Sequence, residues 1–518
     1  MVLRRREFLA TGLTAAGALA VGPAFFRAAA QPATPGPGPY GPLRSADANG
    51  VMLPEGFRSR VVARGLAPVS GTAYPWHIFS DGAATYRTPD GGWILVSNSE
   101  ATAATGAGAS AIRFRPDGRI AGAYRILRDT NANCSGGATP WGTWLSCEET
   151  DTGRVWECDP TGGRAAVVRP AMGVFKHEAA AVDPDDKRVY LSEDVGDGGL
   201  YRFTPAVWPN LTSGLLEVAV VAAGGIVTWR AVSDPAATTV PTRRQVPGMT
   251  QFKRGEGLWW DAGIVYLATT SDQRIHALNT VTDRIEVIYD GKARTGQPLQ
   301  SVDNLTVSPS GDLFVCEDQG EDSEVGLITP DRVASPFMRL TAPLHSESEF
   351  TGPVFDPSGT RFYVASQRGF GGVGAVLEVT GPFRRGRASK PSLSVRVAVP
   401  DSVTLRGLLR RGVPVRVKAD RGVRVSLALR SGRTRRRRVG AAGRRQITLG
   451  RRTRSVAGAG TLRLRLRPGR RARRYLRLRR VHRLSVVISV VDSQGNKRRI
   501  TEQVKIRTPR SRRRRRRS

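Results

Sequence analysis

The chain has 518 residues, which suggests two or three structural units rather than one small domain. Its formal net charge of +36 is unevenly distributed, because residues 383–518 contain 46 Lys+Arg and only 4 Asp+Glu, and the preceding part has a net charge of −6. The larger part of the chain is therefore not basic, which argues against a nucleic-acid-binding protein, and we expect no nucleic-acid partner.

Residues 1–31 have the features of an export signal. The sequence RREFL at 5–9 matches the twin-arginine pattern, and an apolar stretch through Phe26 precedes a small-residue cleavage site at 28–30. The apolar stretch is rich in Gly and Ala and contains a proline, so it is a poor membrane anchor. We expect a cleaved signal, export by the twin-arginine route to the cell envelope or the medium, and no transmembrane helix afterwards.

Residues 32–52 are rich in Pro and Gly, which predicts a flexible linker. The segment 53–382 contains a loose internal repeat with its clearest copies at 181–193, 306–317 and 354–365. Each copy has an apolar strand, a tight turn with Pro and Gly or Asp, and a second strand of β-branched or aromatic residues. Hairpins that recur at roughly 40 to 50 residues are typical of β-propeller blades.

The repeats predict an all-β fold with a six-bladed propeller. An early strand at 56–65 could close the ring by joining the last blade. A β-sandwich is the alternative, which the single repeat period disfavours. The six blades are expected at about 72–128, 132–170, 175–223, 253–289, 301–341 and 347–381.

A second pattern follows a short linker at 383–391. Between 392 and 507, arginines alternate with aliphatic residues, which predicts strands with one buried and one solvated face in an immunoglobulin-like β-sandwich. The tail 508–518 is arginine-rich and expected to be disordered. The basic residues could bind an anionic cell-envelope polymer, or they could simply solvate a strand face.

Acidic residues end the second strand of several predicted hairpins. They occur at Glu100, at Glu148-Glu149, at 193–194 and at 317–318. Equivalent strand ends meet at one end of a propeller channel, where repeated carboxylates would repel one another unless cations neutralise them. A site with many oxygen ligands suits calcium.

Three further segments precede first strands and are expected near the same end of the channel. They are His177-Glu178, Arg254-Gly-Glu256 and Asp303-Asn304. His177 alone is more typical of a core or supporting residue than of a ligand. Arg254 has a guanidinium fork that matches phosphate oxygens, although an ordinary salt bridge is the alternative.

These motifs together resemble the PhoX alkaline phosphatases over about residues 53–382. The resemblance implies a six-bladed propeller that hydrolyses phosphomonoesters with ferric (Fe3+) and calcium (Ca2+) ions in its channel, and it implies twin-arginine export. The segments that carry it are 134–149, 177–178, 193–203, 254–256, 303–304 and 350–353.

The resemblance also implies roles for individual residues. Cys134 would be a thiolate ligand of iron, Glu178 and Glu256 would also bind iron, and Arg254 would bind phosphate. Ser99 stands where the family often has histidine. Six further residues would bind calcium or would hold the metal-binding residues in place. These residues on the calcium side are Asn98, Glu148, Glu149, Asp194, Asn304 and Glu317.

Two other functions remain open. Calcium-dependent lactonase propellers also use Glu and Asn in the channel, but they have no use for a thiolate such as Cys134. A non-catalytic, calcium-stabilised envelope-binding protein is the third hypothesis. No G-x-S-x-G motif is present, which disfavours a serine hydrolase, and we expect a monomer. The other cysteines, Cys147, Cys158 and Cys316, could form a disulfide.

Overall fold

The computed structural model describes residues 31–385 except 321, and residues 395–507 with gaps at 420–421, 432–446, 457, 459, 479–482 and 493–496. The predicted export signal (apart from Gln31), most of the predicted linker 383–391 and the tail 508–518 therefore lie outside the described residues. The chain divides into two compact units, one within Ala30–Ser389 and the other within Lys390–Ser518. Both consist mainly of β-strands, which confirms the all-β class.

The larger unit begins with three strands, β1 (Thr34–Pro35), β2 (Val51–Met52) and β3 (Arg58–Arg64). Short helical turns occur at Ala103–Thr105, Pro170–Met172, Thr242–Arg244 and Gly369–Gly372. The following strands are β4 (Ser80–Arg87), β5 (Trp93–Ser99), β6 (Gly108–Phe114), β7 (Ile120–Leu127), β8 (Asn133–Ala138), β9 (Trp144–Glu148), β10 (Val155–Cys158), β11 (Val167–Val168), β12 (His177–Asp183), β13 (Arg188–Glu193), β14 (Leu200–Val207), β15 (Asn210–Ala222) and β16 (Ile226–Ala231). The series continues with β17 (Gly255–Asp261), β18 (Ile264–Thr269), β19 (Arg274–Asn279), β20 (Arg284–Asp290), β21 (Val302–Val307), β22 (Leu313–Glu317), β23 (Glu324–Ile328), β24 (Val333–Leu340), β25 (Phe350–Phe355), β26 (Arg361–Ser366) and β27 (Ala375–Thr380).

Backbone pairing arranges these strands as a propeller. The four-stranded antiparallel groups are β4–β7, β8–β11, β12–β15, β17–β20, β21–β24, and β25–β27 with β3, while β16 joins the third group to the fourth. The first strands of successive groups contact one another in chain order, and β25 contacts β4, so the contacts close a ring. This arrangement confirms the propeller, and the count of six blades stays a prediction.

The ring is closed by a strand from the opposite end of the unit. β3 pairs antiparallel with β27, so the last group contains three strands from its own segment and one from the N-terminal side. The prediction that the early strand joins the last blade is confirmed.

Residues 32–52 do not form the flexible linker that their composition predicted. β1 pairs in parallel with β24, and β2 pairs with the same strand in antiparallel fashion. Ala33 and Val51 are buried, and the ring of Tyr40 packs edge-on against Phe57 and Phe337. Pro and Gly do not prevent such packing, because the outer edge of the fifth group offers free backbone partners.

A β-bulge recurs near the start of the first strand in successive groups. A bulge adds a residue to one strand, bends that strand and re-aims a side chain. The first strands also approach closely: a Cβ on Gly82 would lie 2.5 Å from the Cα of Ser135. The first five groups have this bulge between Ser80 and Ala83, Asn133 and Gly136, His177 and Ala180, Gly255 and Leu258, and Val302 and Leu305.

The smaller unit has two sheets that share one apolar cluster and so form a β-sandwich. One sheet has the order β28-β30-β33 and the other β29-β35-β34-β31-β32. Helices at Leu405–Arg411 and Arg470–Leu478 were not predicted, and the immunoglobulin-like topology stays a prediction. No helix of the described ranges is long and apolar enough to cross a membrane. The strands are β28 (Val395–Ala398), β29 (Ser402–Thr404), β30 (Val413–Ala419), β31 (Val423–Ser431), β32 (Thr448–Val456), β33 (Gly460–Leu466), β34 (Arg483–Asp492) and β35 (Lys497–Arg507).

Candidate metal centre

The hairpins of the propeller bring two sets of side chains to one end of the central channel. In each of the first five strand groups, one residue near the start of the first strand pairs with the last residue of the second strand. The residue that follows it on the first strand begins the bulge. These bulge residues form the bulge set, and the residues directly after each second strand form the strand-end set. The bulge set is Asp81, Cys134, Glu178, Glu256 and Asp303, and the strand-end set is Glu100, Glu149, Asp194, Thr270, Asp318 and Gln367.

Six of these side chains form two compact groups of ligand-type atoms. In each group the three candidate ligand atoms all lie within 4.8 Å of one another. The cysteine group consists of Glu100, Cys134 and Glu149, and the carboxylate group consists of Glu178, Glu256 and Asp303.

Glu178 is the most constrained member of the carboxylate group. Its side chain is fully buried, and among the described residues neither carboxylate oxygen has a hydrogen-bond partner. Burial, together with the nearby carboxylates of Glu256 and Glu149, raises the pKa of Glu178 well above its usual value. An unpaired buried carboxylate is costly, so these oxygens fit a cation ligand better than a structural role.

Cys134 lies at the equivalent bulge in the second group of strands, β8–β11. Burial and the carboxylates around it, first Asp81 and then Glu178, raise the pKa of the Cys134 thiol well above its usual value. Asn98 fixes this bulge, because its Nδ2 donates to the carbonyl oxygens of Cys134 (3.1 Å) and Ser135 (2.8 Å). In the absence of a cation the thiol is therefore protonated, and a bound metal would have to displace its proton.

Arg254 lies beside the carboxylate group and contacts three acids. Its Nε donates to Asp194 Oδ1 (2.9 Å), its Nη1 donates to Asp318 Oδ2 (3.2 Å), and its Nη2 lies 2.9 Å from Glu256 Oε1. Burial alone lowers the pKa of Arg254, but these carboxylates raise it above its usual value overall. The side chain is 39% exposed, so it also contacts solvent.

The family comparison agrees with this geometry. The family model described as "Alkaline phosphatase PhoX" matches the chain over residues 75–164, 151–295 and 282–369. Together these segments cover more than half of the chain and contain every residue of the cysteine group and the carboxylate group. The chain belongs to the PhoX alkaline phosphatase family. PhoX proteins are metal-dependent and are typically exported.

Solved structures similar to this chain are distant propellers. A gluconolactonase from Xanthomonas campestris is 13% identical, with 67% of this chain and 99% of that chain covered and a TM-score of 0.40. A calcium-binding regucalcin from Agrobacterium tumefaciens is 14% identical, with 64% and 97% covered and a TM-score of 0.33. Neither similarity carries functional information to this chain, and no curated protein matches it.

The structure brings together four of the residues that the PhoX resemblance implied as metal ligands. Cys134 and Glu149 belong to the cysteine group, and Glu178 and Glu256 belong to the carboxylate group. Asp194 adjoins them through Arg254.

Two predicted residues on the calcium side point away from both groups. Glu148 accepts hydrogen bonds from the backbone N–H groups of Asn131 and Arg154. Glu317 accepts from the backbone of Gln300 and Glu324, and burial raises its pKa to about 8. Both residues end a strand, and side chains alternate between faces, so only the next residue turns toward the channel.

Two predicted asparagines support the site instead of joining its ligand groups. Asn98 uses its remaining oxygen to accept from Trp144 Nε1 (2.8 Å) and Ser146 Oγ (2.9 Å). The Nδ2 of Asn304 donates to Asp303 Oδ1 (2.8 Å), and its Oδ1 accepts from the backbone of Gly352. Both amides therefore hold the backbone or side chain of a bulge residue.

His177 is a core residue, as one of the sequence hypotheses held. Its ring stacks on Phe175 with centroids 3.6 Å apart, and its Nε2 lies 3.1 Å from the carbonyl oxygen of Gly173. All four cysteines are free in the structure.

The sequence interpretation did not count five acids of this region among the ligands. Glu100, Asp303 and Asp318 were noted only as parts of motifs, whereas Asp81 and Glu349 were missed. A usable signal exists, because the bulge residue is followed by a small or polar residue in each of the five groups. These dipeptides are Asp81-Gly82, Cys134-Ser135, Glu178-Ala179, Glu256-Gly257 and Asp303-Asn304.

Two further cations border the acids. The Nζ of Lys176 lies 3.1 Å from Glu149 Oε1, and Arg368 pairs with Glu349 and with Glu100. They offset only part of the negative charge. Burial, together with Glu100, still raises the pKa of Asp81 to about 7.

Proposed function

We propose that this protein is an exported, metal-dependent phosphomonoesterase whose active site is the acidic end of the propeller channel. The observation that carries the proposal is the buried, unpaired carboxylate of Glu178, grouped with Glu256 and Asp303 and adjoining the cysteine group. Bound cations would offset the repulsion among these buried carboxylates.

The donors fit the ferric and calcium ions that the family resemblance implies. Cys134, Glu178 and Glu256 would bind iron, and we propose Asp303 as a further ligand because it belongs to the carboxylate group. Glu149 and Asp194 would serve calcium, which prefers several oxygen ligands. When bound, these ions would polarise the phosphoryl oxygens and offset their growing negative charge.

Arg254 would bind and orient the substrate. Its guanidinium plane matches two phosphate oxygens, and its partial exposure leaves it accessible from solvent. Asp194, Glu256 and Asp318 fix the side chain in advance and keep it charged, so little reorganisation is needed when phosphate enters.

No structural observation favours the lactonase hypothesis over the phosphatase. Cys134 lies among carboxylates with its thiol atom within 4.8 Å of the candidate ligand atoms of Glu100 and Glu149. A site that binds calcium alone prefers hard oxygen ligands and gains nothing from a thiolate.

The proposal is tested by assaying the purified protein with an aryl phosphate and, in parallel, with a simple lactone. We expect hydrolysis of the phosphate ester only, and loss of that activity after treatment with a chelator. Lactone hydrolysis without phosphatase activity would overturn the proposal.

Two buried cysteines give a matched pair of variants. Cys134→Ala is expected to abolish phosphatase activity, whereas Cys147→Ala removes a thiol from an apolar cluster and is expected to retain activity in the folded protein. Full activity of Cys134→Ala would refute a role for the thiol in metal binding.

A further inference from the structure

The outward side of one sheet in the smaller unit is a concentrated cationic surface. In the sheet β28-β30-β33, inward residues such as Val415 and Leu464 are buried, and basic residues alternate with them on the exposed side. We call this surface the cationic face, and it consists of Arg396, Arg416, Lys418, Arg463 and Arg465.

The register places like charges directly opposite one another. Arg396 pairs with Lys418 across β28 and β30, and Arg416 pairs with Arg463 across β30 and β33. Like charges in directly opposed positions destabilise a sheet. Within the described part of the chain, no carboxylate forms an ion pair with any residue of the cationic face.

Arginine-rich composition alone does not explain this arrangement, because the other sheet of the same unit separates its charges. There, Thr453, Ser426 and Ser489 occupy one cross-strand row, with Arg499 at its end. The next row is Arg451, Ala428, Val487 and Thr501. Charge is thus diluted on one sheet and concentrated on the other.

We propose that the cationic face binds a linear phosphodiester polymer that carries no nucleobases, such as a poly(glycerol phosphate) chain. Alternate residues lie about 7 Å apart along a strand, and neighbouring strands lie about 4.8 Å apart. An extended polymer can therefore place successive phosphates over successive cations. Four of the five cations are arginines, whose forks bind phosphate in a bidentate manner.

The other outward residues of this sheet disfavour a nucleic acid. They are Ala398, Pro414 and Thr461. Binding of single strands without sequence preference uses aromatic side chains as stacking platforms. No aromatic side chain lies among the outward residues of the described strands of this sheet, so we expect recognition to rest on backbone charge.

The test uses the full chain and a fluorescent poly(glycerol phosphate) probe at low salt. The double variant Arg416→Gln/Arg463→Gln is expected to bind about tenfold more weakly and to show a smaller salt dependence. The control Arg451→Gln/Arg499→Gln removes the same charge from the other sheet and is expected to bind nearly as well as the unchanged protein. Equal weakening by both double variants would overturn the proposal.

Three further measurements make the result decisive. Arg416→Lys/Arg463→Lys retains the charge and should recover most of the binding, whereas recovery of none would contradict a charge-based surface. Single-stranded DNA of equal charge should bind more weakly than the probe, and tighter DNA binding would refute the choice of polymer.

The glutamine variant should unfold at the same temperature as the unchanged protein or higher, since a like-charge pair is removed. The proposal is independent of phosphatase activity, which none of these variants should change.

Discussion

The two units each concentrate charge of one sign, but in opposite environments. The acids at the end of the propeller channel are largely buried, whereas the cations of the smaller unit lie on an exposed sheet. Water and salt screen exposed charges, so the cationic face costs little. Buried carboxylates lack that screening and must be protonated or bound to cations. The comparison shows why like charges can be stable on the sheet, whereas the acids in the channel must be neutralised by protons or by cations.

Within the carboxylate group, the largest effect is expected for Glu178→Gln, which removes the unpaired carboxylate with little change in shape. We expect loss of bound metal and a decrease of more than about 100-fold in kcat/KM, since even residues that only support metal ligands contribute 10- to 100-fold. The metal-free variant should be more stable than the metal-free unchanged protein, because a buried acid has been removed. Glu148→Gln, at a carboxylate outside both groups, is the control.

The next effect is a pH dependence of stability that distinguishes the metal-free protein from the metal-bound protein. Burial raises the pKa of both Asp81 and Glu149 to about 7, whereas an unfolded chain has values near 4. The folded metal-free protein therefore binds more protons than the unfolded chain, and its stability falls as the pH rises from about 4 to above 7. Thermal unfolding after metal removal should show this fall, and metal should reverse it. Unchanged stability across this range would contradict the predicted titration.

A smaller effect is expected for Arg254→Lys, which keeps the charge but loses the fork. We expect kcat/KM for an aryl phosphate to fall by about 10- to 100-fold while metal content is retained. Arg243→Lys is the matched control, because Arg243 also pairs with two carboxylates, those of Glu193 and Asp197, outside both ligand groups. Equal losses in the two variants would show that Arg254 is only structural.

The smallest effect concerns the cationic face. Replacing Arg463 by Gln removes the repulsion with Arg416 across the strands and should stabilise the smaller unit by about 0.2–1 kcal/mol. High salt should give the unchanged protein most of the same gain, because exposed charges are screened. A loss of stability in chemical unfolding at low salt would contradict this account.

The sequence was sufficient for the propeller and for the family, and it named four of the residues that the structure groups at the candidate site. Hairpin repeats predicted the blades, and the motif around Cys134 predicted the family. The linker was predicted wrongly, because composition cannot show that the edge strand β24 needs partners. Glu317 and Glu148 were assigned to the calcium side, but the structure directs both side chains away from the two ligand groups. The sequence does not show at which residue a strand ends, and a shift of one residue reverses the direction of a side chain. Asp81 was missed because a bulge, which the alternation of apolar and polar residues does not display, turns it into the channel.

The most direct test of the metal site is the metal content of the protein purified without chelator, with Glu178→Gln as its matched variant. The account predicts that the unchanged protein contains both iron and calcium and that the variant loses a large part of them. An unchanged protein that is folded and free of both metals, or a Glu178→Gln variant with full metal content, would contradict it.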